Sequence, residues 1–347
     1  MEITKIVLTG GPKAGKTTII EELKKYLKYR GYNVICVQET ARDLIEGGIS
    51  PFGEYEYILK FQDLVLKMQT SKEATIEEFV KNTYDVDTVI IYDRGVLDNK
   101  AYLRCQSDFD LLLKNNSMNE IAFSEKYDLI INLISSSKLG KDYYSKDESR
   151  FEDFNEALDL DYRTTIAWLL SPNIKVIEPT ERFEDKVLKT IKCVDNCLSK
   201  KVEKKYQKEI DLNNSDFSDY NDNNSKTYRV TDYYLDLPNN NIEYIVTEKE
   251  YKSNTSYEFK GIATINDEKR LITRYLMNKE KFDQMLKEYG YVKEETRTEI
   301  RFLGENRVVL TIKIVDDKAI IESDIKDYSL PRGIYIKNNV KKLKFWL

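Results

Sequence analysis

The chain has 347 residues, 41% of them hydrophobic and a third charged, with a net charge of −5. That length suits two domains rather than one, and the near-cancellation of charge leaves no global positive field to hold nucleic acid. The sequence contains no histidine, so Ser-His and Cys-His catalysis and histidine-ligated metals are excluded, and any general base must be Asp, Glu, Lys, Tyr or Cys.

The opening "MEITKIVLTGG" has no basic segment before a long apolar run, as a signal peptide would. No window approaches the ~20 apolar residues of a spanning helix. A soluble, cytoplasmic protein without a transmembrane segment is expected. Residues 5–9, "KIVLT", read as a buried strand ending in glycines, and "TTIIEELKKYLKYRG" as a helix with Ile20, Leu23 and Leu27 at helical spacing. Residues 33–38 form a second strand. A long helix covers about 54–81, with Tyr57, Phe61, Leu64 and Met68 on one stripe. Strands follow at 88–95, 128–134 and 173–179, separated by helical segments that include 155–170. This alternation predicts a doubly wound parallel sheet with both faces covered. A last helix at 182–198 places Phe183, Val187, Ile191, Val194 and Leu198 inside. Cys36, Cys105, Cys193 and Cys197 are expected as free buried thiols, the last two on one helix face.

The texture then changes. Residues 209–226 are rich in Asn, Asp and Ser and read as a loop. Beyond them run short alternating stretches, "YRVTDYYL", "EYIVTEKEY", "SYEFKGIAT", "EIRFL", "RVVLTIKIV" and "KAIIESDI", with one helical stretch, "MNKEKFDQMLKEYG". This predicts a second, mostly antiparallel α+β domain. The boundary falls at residues 198/199.

Gly10-Gly11-Pro12-Lys13-Ala14-Gly15-Lys16-Thr17, followed by Thr18, fits G-x-x-x-x-G-K-[ST] between a strand and a helix. That context marks a phosphate-binding loop of an α/β P-loop NTPase. Glycines let backbone N–H groups converge on phosphate oxygens, and the helix N-terminus adds partial positive charge. Lys16 is expected to reach the β- and γ-phosphates of ATP or GTP, and the Thr17 hydroxyl to bind Mg²⁺. Asp93 of "YDRG" ends a strand at the sheet's carboxyl edge, as a second Mg²⁺ carboxylate does. Arg94 either rides on a phosphate or pairs with Asp93 or Asp98. Glu39 of "QETAR" points into the same crevice. It is the candidate to accept the proton of an acceptor hydroxyl, or else it pairs with Arg42. "SSSKLGKDYYSKDESR" carries Lys138, Lys141, Lys146 and Arg150, which form either a basic lid over the transferring phosphate or a solvated charge run.

"LTGGPKAGKTT", "QETARDLIEGG", "YDRGVLDNKAYL" and "FNEALDLDYRTTIAWLLSPNIKVIEPTERFEDK", in that order, resemble the P-loop AAA domain shared by NadR-type nicotinamide riboside kinases and TRPL translocation defect proteins, over about residues 3–195. From Val202 onward, "VEKKY", "DYYLDLP", "SYEFKG", "ITRYLMNKEKFDQML" and "RTEIRFLGENRVVL" resemble the CYTH-like triphosphate-tunnel domain of the translocation defect proteins. The riboside kinase side implies phosphoryl transfer from ATP to a nucleoside-like acceptor. The other side implies GTP and phosphoinositide binding in membrane trafficking.

A tunnel domain implies inward acids for metal and inward cations for phosphate. The family's entry strand carries E-x-E-x-K. The matching stretch here is Lys201-Val202-Glu203-Lys204-Lys205, with lysine in place of the first acid. "RTEIR" puts Arg297, Glu299 and Arg301 on one face, and "IESD" places Glu322 and Asp324 together. Lys205, Lys249, Lys260, Arg274 and Lys313 are further inward cations. A literal E-x-E-x-K at 248–252 lies in the wrong strand for that site. The expectation is a pocket with more cations than acids, binding a polyphosphate or phosphoinositide headgroup, or else a solvated charged face. Three readings stand: a Mg²⁺-dependent P-loop kinase, a regulatory nucleotide-binding module, and a triphosphatase run by the second domain.

Overall fold

A computed structural model of the chain describes residues 1–139, 154–221, 223–238 and 241–337. The chain divides into two compact units, Met1–Ser199 and Lys200–Leu347.

In the first unit, β1 (Ile3–Thr9), α1 (Lys16–Tyr29), β2 (Asn33–Val37), α2 (Thr40–Glu46), α3 (Tyr55–Thr83) and β3 (Thr88–Asp93) follow in order. A 3-10 turn (Val96–Tyr102), α4 (Gln106–Asn115), α5 (Glu120–Glu125), β4 (Leu129–Leu133), α6 (Phe154–Ala167), β5 (Ile174–Ile177) and α7 (Phe183–Leu198) complete it. All strand pairs are parallel, in the order β2-β3-β1-β4-β5. Residues of β4 are buried throughout, as the continuous apolar run of a sheet covered on both faces requires. Ile19, Ile20, Leu23 and Leu27 of α1 pack on Ile6, Leu8, Val89, Ile91 and Ile131 of the sheet and on Val194 of α7. Each such burial contributes about 1.5–3 kcal/mol. From β1 the chain crosses to the edge strand β2, returns to β3 between the two, and then passes to the other side through β4 and β5. The reversal at β1 opens a crevice at the strands' carboxyl ends, where the phosphate loop begins.

Two helix faces differ from the pattern. In α3 the buried residues are Phe61, Gln62, Val65, Leu66, Gln69, Glu73 and Val80, whereas Tyr57 and Met68 are exposed. The stripe is rotated because Gln69 and Glu73 bond inward, to Arg94 and to Lys126 and Tyr127. In α7 Val187, Ile191, Val194 and Leu198 pack on the core as expected, Lys186 and Thr190 are buried with them, and only Phe183 of the stripe is exposed. None of the four cysteines forms a disulfide; Cys193 and Cys197 pack against one core cluster, whereas Cys105, expected to be buried, is exposed.

The second unit holds β6 (Tyr206–Ile210), β7 (Ser225–Leu235), β8 (Ile242–Tyr251), β9 (Asn254–Ile265), β10 (Glu268–Met277), α8 (Lys279–Tyr289), β11 (Tyr291–Leu303), β12 (Val309–Val315) and β13 (Lys318–Ser323). They form one antiparallel sheet in the order β10-β9-β8-β7-β11-β12-β13-β6. Its apolar face carries Ile210, Ile300, Phe302, Leu310, Ile312 and Ile321 in one cluster. Leu235, Val246, Tyr257 and Phe259 form another beneath Phe282 of α8. Alternation alone misses β6, which is short and polar, and β10, whose "EKRLITRY" is rich in cations.

Both sheet edges meet the same segment. Lys201 bridges Arg270 on β10, with Val202 N–H donating to the Lys269 carbonyl at 3.0 Å. Tyr206 then starts β6 on the far edge, against Ser323 of β13. The residues between Val202 and Tyr206 span at most about 14 Å. Glu203 and Lys205 therefore lie in a link and not in the expected entry strand. Among the described residues no helix is long and apolar enough to cross a membrane.

Candidate functional site

The phosphate loop runs from the end of β1 to the first turn of α1, with Thr17 and Thr18 exposed at the helix start. Gly15 has φ +83°, and a Cβ there would lie 2.6 Å from Phe183 Cε2. A Cβ on Gly11 would lie 2.6 Å from the Asp161 carboxylate. Both positions therefore exclude side chains on geometric grounds. Lys16 curls back so that its Nζ donates to the carbonyls of Gly10 at 2.9 Å and Gly11 at 3.1 Å. Burial, then the nearby Arg94 charge, lowers its amine to about 8. Lys13 takes a left-handed backbone, φ 58°, between Pro12 and Ala14. The carbonyls of Pro12 and Ala14 accept from Ser135 Oγ and Lys186 Nζ.

Around Lys16 the ends of β2 and β3 bring together Glu39, Asp93 and Arg94. Asp93 Oδ1 is buried and has no hydrogen-bond partner. Burial and the Glu39 charge raise its carboxyl above the usual range. Arg94 takes a left-handed φ of 69°. Its backbone is pinned by its own N–H to Leu8 O at 3.0 Å and by Gln69 Nε2 to its carbonyl at 3.3 Å. Its Nε donates to Glu39 Oε1 at 2.6 Å, and its Nη1 is buried without a partner. Arg94 thus pairs with Glu39, not with Asp93 or Asp98, and Arg42 turns away to Glu46 at 2.7 Å. Burial opposes the Glu39 charge, but Arg94 and Lys16 outweigh it and hold the carboxyl below its ordinary value. Asp98 is fully committed, accepting from Thr9 Oγ1, Gly95 N–H at 2.8 Å and Trp168 Nε1 at 3.2 Å.

The orphaned carboxylate oxygen in the crevice and the exposed hydroxyl at the start of α1 are donors of the kind a Mg²⁺ ion takes. Asp93 and Thr17 would hold it, with phosphate and water completing the shell. Among the described residues no three Asp, Glu or Cys are grouped to hold an ion by themselves. The orphaned Arg94 Nη1 is a donor left over for an anion.

Several supports were not legible as site residues. Asp161 of α6 is fully buried, and its Oδ1 accepts from Gly11 N–H at 2.9 Å and Ser135 N–H at 3.2 Å, tying the loop to the end of β4. Lys186 of α7 is 4% exposed, and its Nζ donates to Ala14 O at 2.8 Å and Ile134 O at 2.7 Å. Burial lowers its amine to about 8. Its only signal in sequence is a lysine one turn into a helix at a position that falls on the inner face. Of the expected basic lid, Lys138 bonds Glu178 at 2.7 Å, at the end of β5. Lys141, Lys146 and Arg150 lie outside the described residues.

In the second unit, directly opposed residues share a face of the sheet. Register puts Arg274 opposite Lys260, Lys249 opposite Val230, and Val230 opposite Arg297. Glu299 lies opposite Lys313, Arg301 opposite Thr311, and Thr311 opposite Glu322. Lys249, Lys260, Arg274, Arg297, Arg301, Lys313 and Glu322 therefore share one face, on which β6 contributes Gln207 and Glu209. Lys205 and Asp324 pair with each other beside it. Glu203 stays half-buried in the link.

The expected excess of cations is corrected by acids the pattern did not mark. Asp232, Glu258 and Glu295 lie on the same face. Arg297 binds Asp232 and Glu299, each at 2.6 Å, and Lys313 binds Glu322 at 2.9 Å. Glu258 is shared by Lys260, at 2.8 Å, and Arg274. Buried charges require such partners. Burial alone would raise Glu258, but Lys260 and Arg274 bring it down to about 2. Lys313 and Arg297 likewise outweigh burial and hold Glu299 well below the usual carboxylate range. A pocket on this face is lined by Glu209, Arg297, Lys313, Val315, Lys318 and Ile320.

No curated protein matches this sequence. A family model described as an AAA domain matches residues 5–186, just over half of the chain. Those residues include the phosphate loop, Glu39, Asp93, Arg94 and Asp161, and they span all five strands of the parallel sheet. The chain belongs to this AAA domain family, and its first unit is a P-loop nucleotide-binding domain.

Proposed function

We propose that the first unit is a Mg²⁺-dependent, kinase-like phosphotransferase that takes ATP or GTP and passes the terminal phosphoryl group to a nucleoside-like hydroxyl. The observation that carries this reading is the incomplete pair beside Lys16. Asp93 Oδ1 lacks a donor or cation, and Arg94 Nη1 lacks an acceptor. A metal-bound triphosphate would satisfy both at once. Loop N–H groups, Lys16 and Arg94 would hold the phosphates, and the bound Mg²⁺ would neutralise charge on their oxygens. Glu39 sits across the crevice as the acceptor for the hydroxyl's hydrogen. Its low basicity is compatible with a loose transition state, in which positioning outweighs proton transfer.

One observation favours a second reading, a nucleotide-binding module without transfer: Glu39 is already engaged by Arg94. For the second unit we propose anion binding on its charged face, by a polyphosphate or a phosphorylated headgroup. Arg297 and Lys313 in the pocket support this reading, although any anion must compete with Asp232, Glu299 and Glu322. Triphosphate hydrolysis there has less support, because the acids on this face are committed to cations.

Calorimetry with ATP and GTP, then a labelled-phosphate assay over a nucleoside panel, tests the first unit. Lys16→Ala should abolish nucleotide binding. Glu39→Gln should keep it and lose up to roughly 10² in transfer rate, the low end for a general base because proton transfer is the lesser part. Unchanged binding in Lys16→Ala would sink the nucleotide assignment. A parent that binds nucleotide but phosphorylates nothing in the panel would establish the second reading.

A further inference from the structure

Phe183 opens α7, and helical spacing assigns it to the inner stripe with Val187, Ile191, Val194 and Leu198. It does not go there. Its ring is 38% exposed, while Lys186, Thr190 and Val194 take the buried face. Leaving a phenylalanine this open forgoes much of the benefit of burying it. The ring instead leans on the phosphate loop, with Cε2 and Cζ at 2.6 and 3.1 Å from the place of a Gly15 Cβ. One turn on, Lys186 fastens the same helix to the Ala14 and Ile134 carbonyls. The ring is thus an exposed apolar plate held in a fixed position, one residue from the lysine that serves the phosphates.

Among the described residues, Thr180 and Arg182 beside it add little that could read a base edge, and one oxygen of Glu178 at the end of β5 is buried without a partner. The Thr180 hydroxyl is used on the Arg182 carbonyl at 2.6 Å. Arg182 extends outward, with Asp185 only at 3.8 Å. An aromatic face without convergent donors or acceptors recognises a flat π system, and every nucleobase offers one.

We propose that Phe183 is the stacking platform for the nucleobase of the bound nucleoside triphosphate, and that it accepts adenine and guanine alike. This rests on the nucleotide reading of the first unit. Stacking of this kind contributes enough that its loss weakens binding roughly five- to hundredfold.

The test compares Phe183→Leu, which keeps apolar bulk against Gly15 without a π face, with Phe183→Trp, which keeps the face. Affinities for ATP, GTP and inorganic tripolyphosphate are measured on the full chain with Mg²⁺, and any binding that survives in Lys16→Ala is subtracted as belonging elsewhere. The expected result is that Phe183→Leu weakens ATP and GTP by similar factors in that range and leaves tripolyphosphate unchanged. Phe183→Trp should restore both, and its added fluorescence should be quenched by ATP and GTP but not by tripolyphosphate. If Phe183→Leu weakens tripolyphosphate as much as ATP, the ring only shapes the loop and the proposal is overturned. If it binds ATP as the parent does, the base lies elsewhere and the proposal is again overturned. A parent that binds tripolyphosphate at Lys16 but gains nothing from a base overturns this inference alone. A parent that binds no phosphate ligand at Lys16 overturns the nucleotide reading itself.

Discussion

Replacing Lys186 by methionine tests the support beneath the phosphate loop. The ammonium is buried, and its two bonds go to main-chain carbonyls, not to a carboxylate. Asp161 and Glu178 are the acids near enough to favour its charge, and burial outweighs them, leaving the amine at about 8 against an ordinary 10.5. At pH 7 the charge is therefore held at a cost of about 3 kcal/mol. Methionine removes that cost but leaves the Ala14 and Ile134 carbonyls without their donor, at about 1–3 kcal/mol each. The net destabilisation at neutral pH is small, between about −1 and +3 kcal/mol. The sign of the pH dependence follows from linkage. Between pH 8 and 10.5 the unfolded chain holds a proton that the folded chain has released, so this group makes the parent more stable as pH rises. The variant lacks that gain, so the gap between the two should widen by about 2–3 kcal/mol from pH 7 to pH 10. Urea denaturation in a Trp346→Phe background, where buried Trp168 alone reports the first unit, measures the gap. Parallel pH profiles for parent and variant would refute the claim of a depressed, loop-bearing amine.

Gly15→Ala meets both a left-handed φ and the Phe183 ring. It should weaken inorganic tripolyphosphate at least tenfold by calorimetry, and Phe183→Ala in the same chain should recover only part, because the backbone strain remains. Arg297→Met strands Asp232 and Glu299 in a buried place. It should destabilise the second unit by about 3–5 kcal/mol, which calorimetric scanning of the full chain would register, and an unshifted transition would show that water reaches those acids. Acid should act on the same unit through Glu258. Its carboxyl is depressed from 4.5 to about 2, so its contribution is complete above about pH 4.5 and is lost as pH falls toward 2. Glu258→Gln should flatten that part of the stability curve.

Strand and helix alternation in the first unit was legible because a parallel sheet covered on both faces leaves unbroken apolar runs such as "LIINL" between amphipathic helices. The phosphate loop was legible because its glycines and lysine are fixed by local geometry. What could not be seen was set by partners distant in sequence. Asp161 acts on Gly11 across 150 residues, and nothing in "ALDLDYR" marks one aspartate over another. Arg94 was expected either on a phosphate or beside Asp93 or Asp98, its neighbours in sequence, and the left-handed turn at Arg94 aims it at Glu39, just beyond the end of β2. In the second unit the cations were legible by alternation, and their counter-ions were not. Asp232 and Glu258 sit on strands whose facing is set by cross-strand register. In α7 the apolar stripe was legible from Val187 to Leu198, and only the first turn departed from it, with Lys186 buried and Phe183 exposed.

The segment that touches both edges of the second sheet also bears on how that unit is made. Tyr206 is among the first residues of the unit to be synthesised, yet its partner is Ser323, roughly a hundred and twenty residues later. Hairpins such as β8–β9 can form as they emerge, but the two ends of the sheet must wait until β13 has been translated. Such distant pairing slows folding, and until it happens the outer strands expose unpaired backbone of the kind that recruits foreign strands. The first unit, complete by Ser199, has no such dependence on later sequence. A nascent chain stalled before Lys318 would thus carry a finished nucleotide domain joined to an unclosed sheet, with aggregation risk concentrated in that second half.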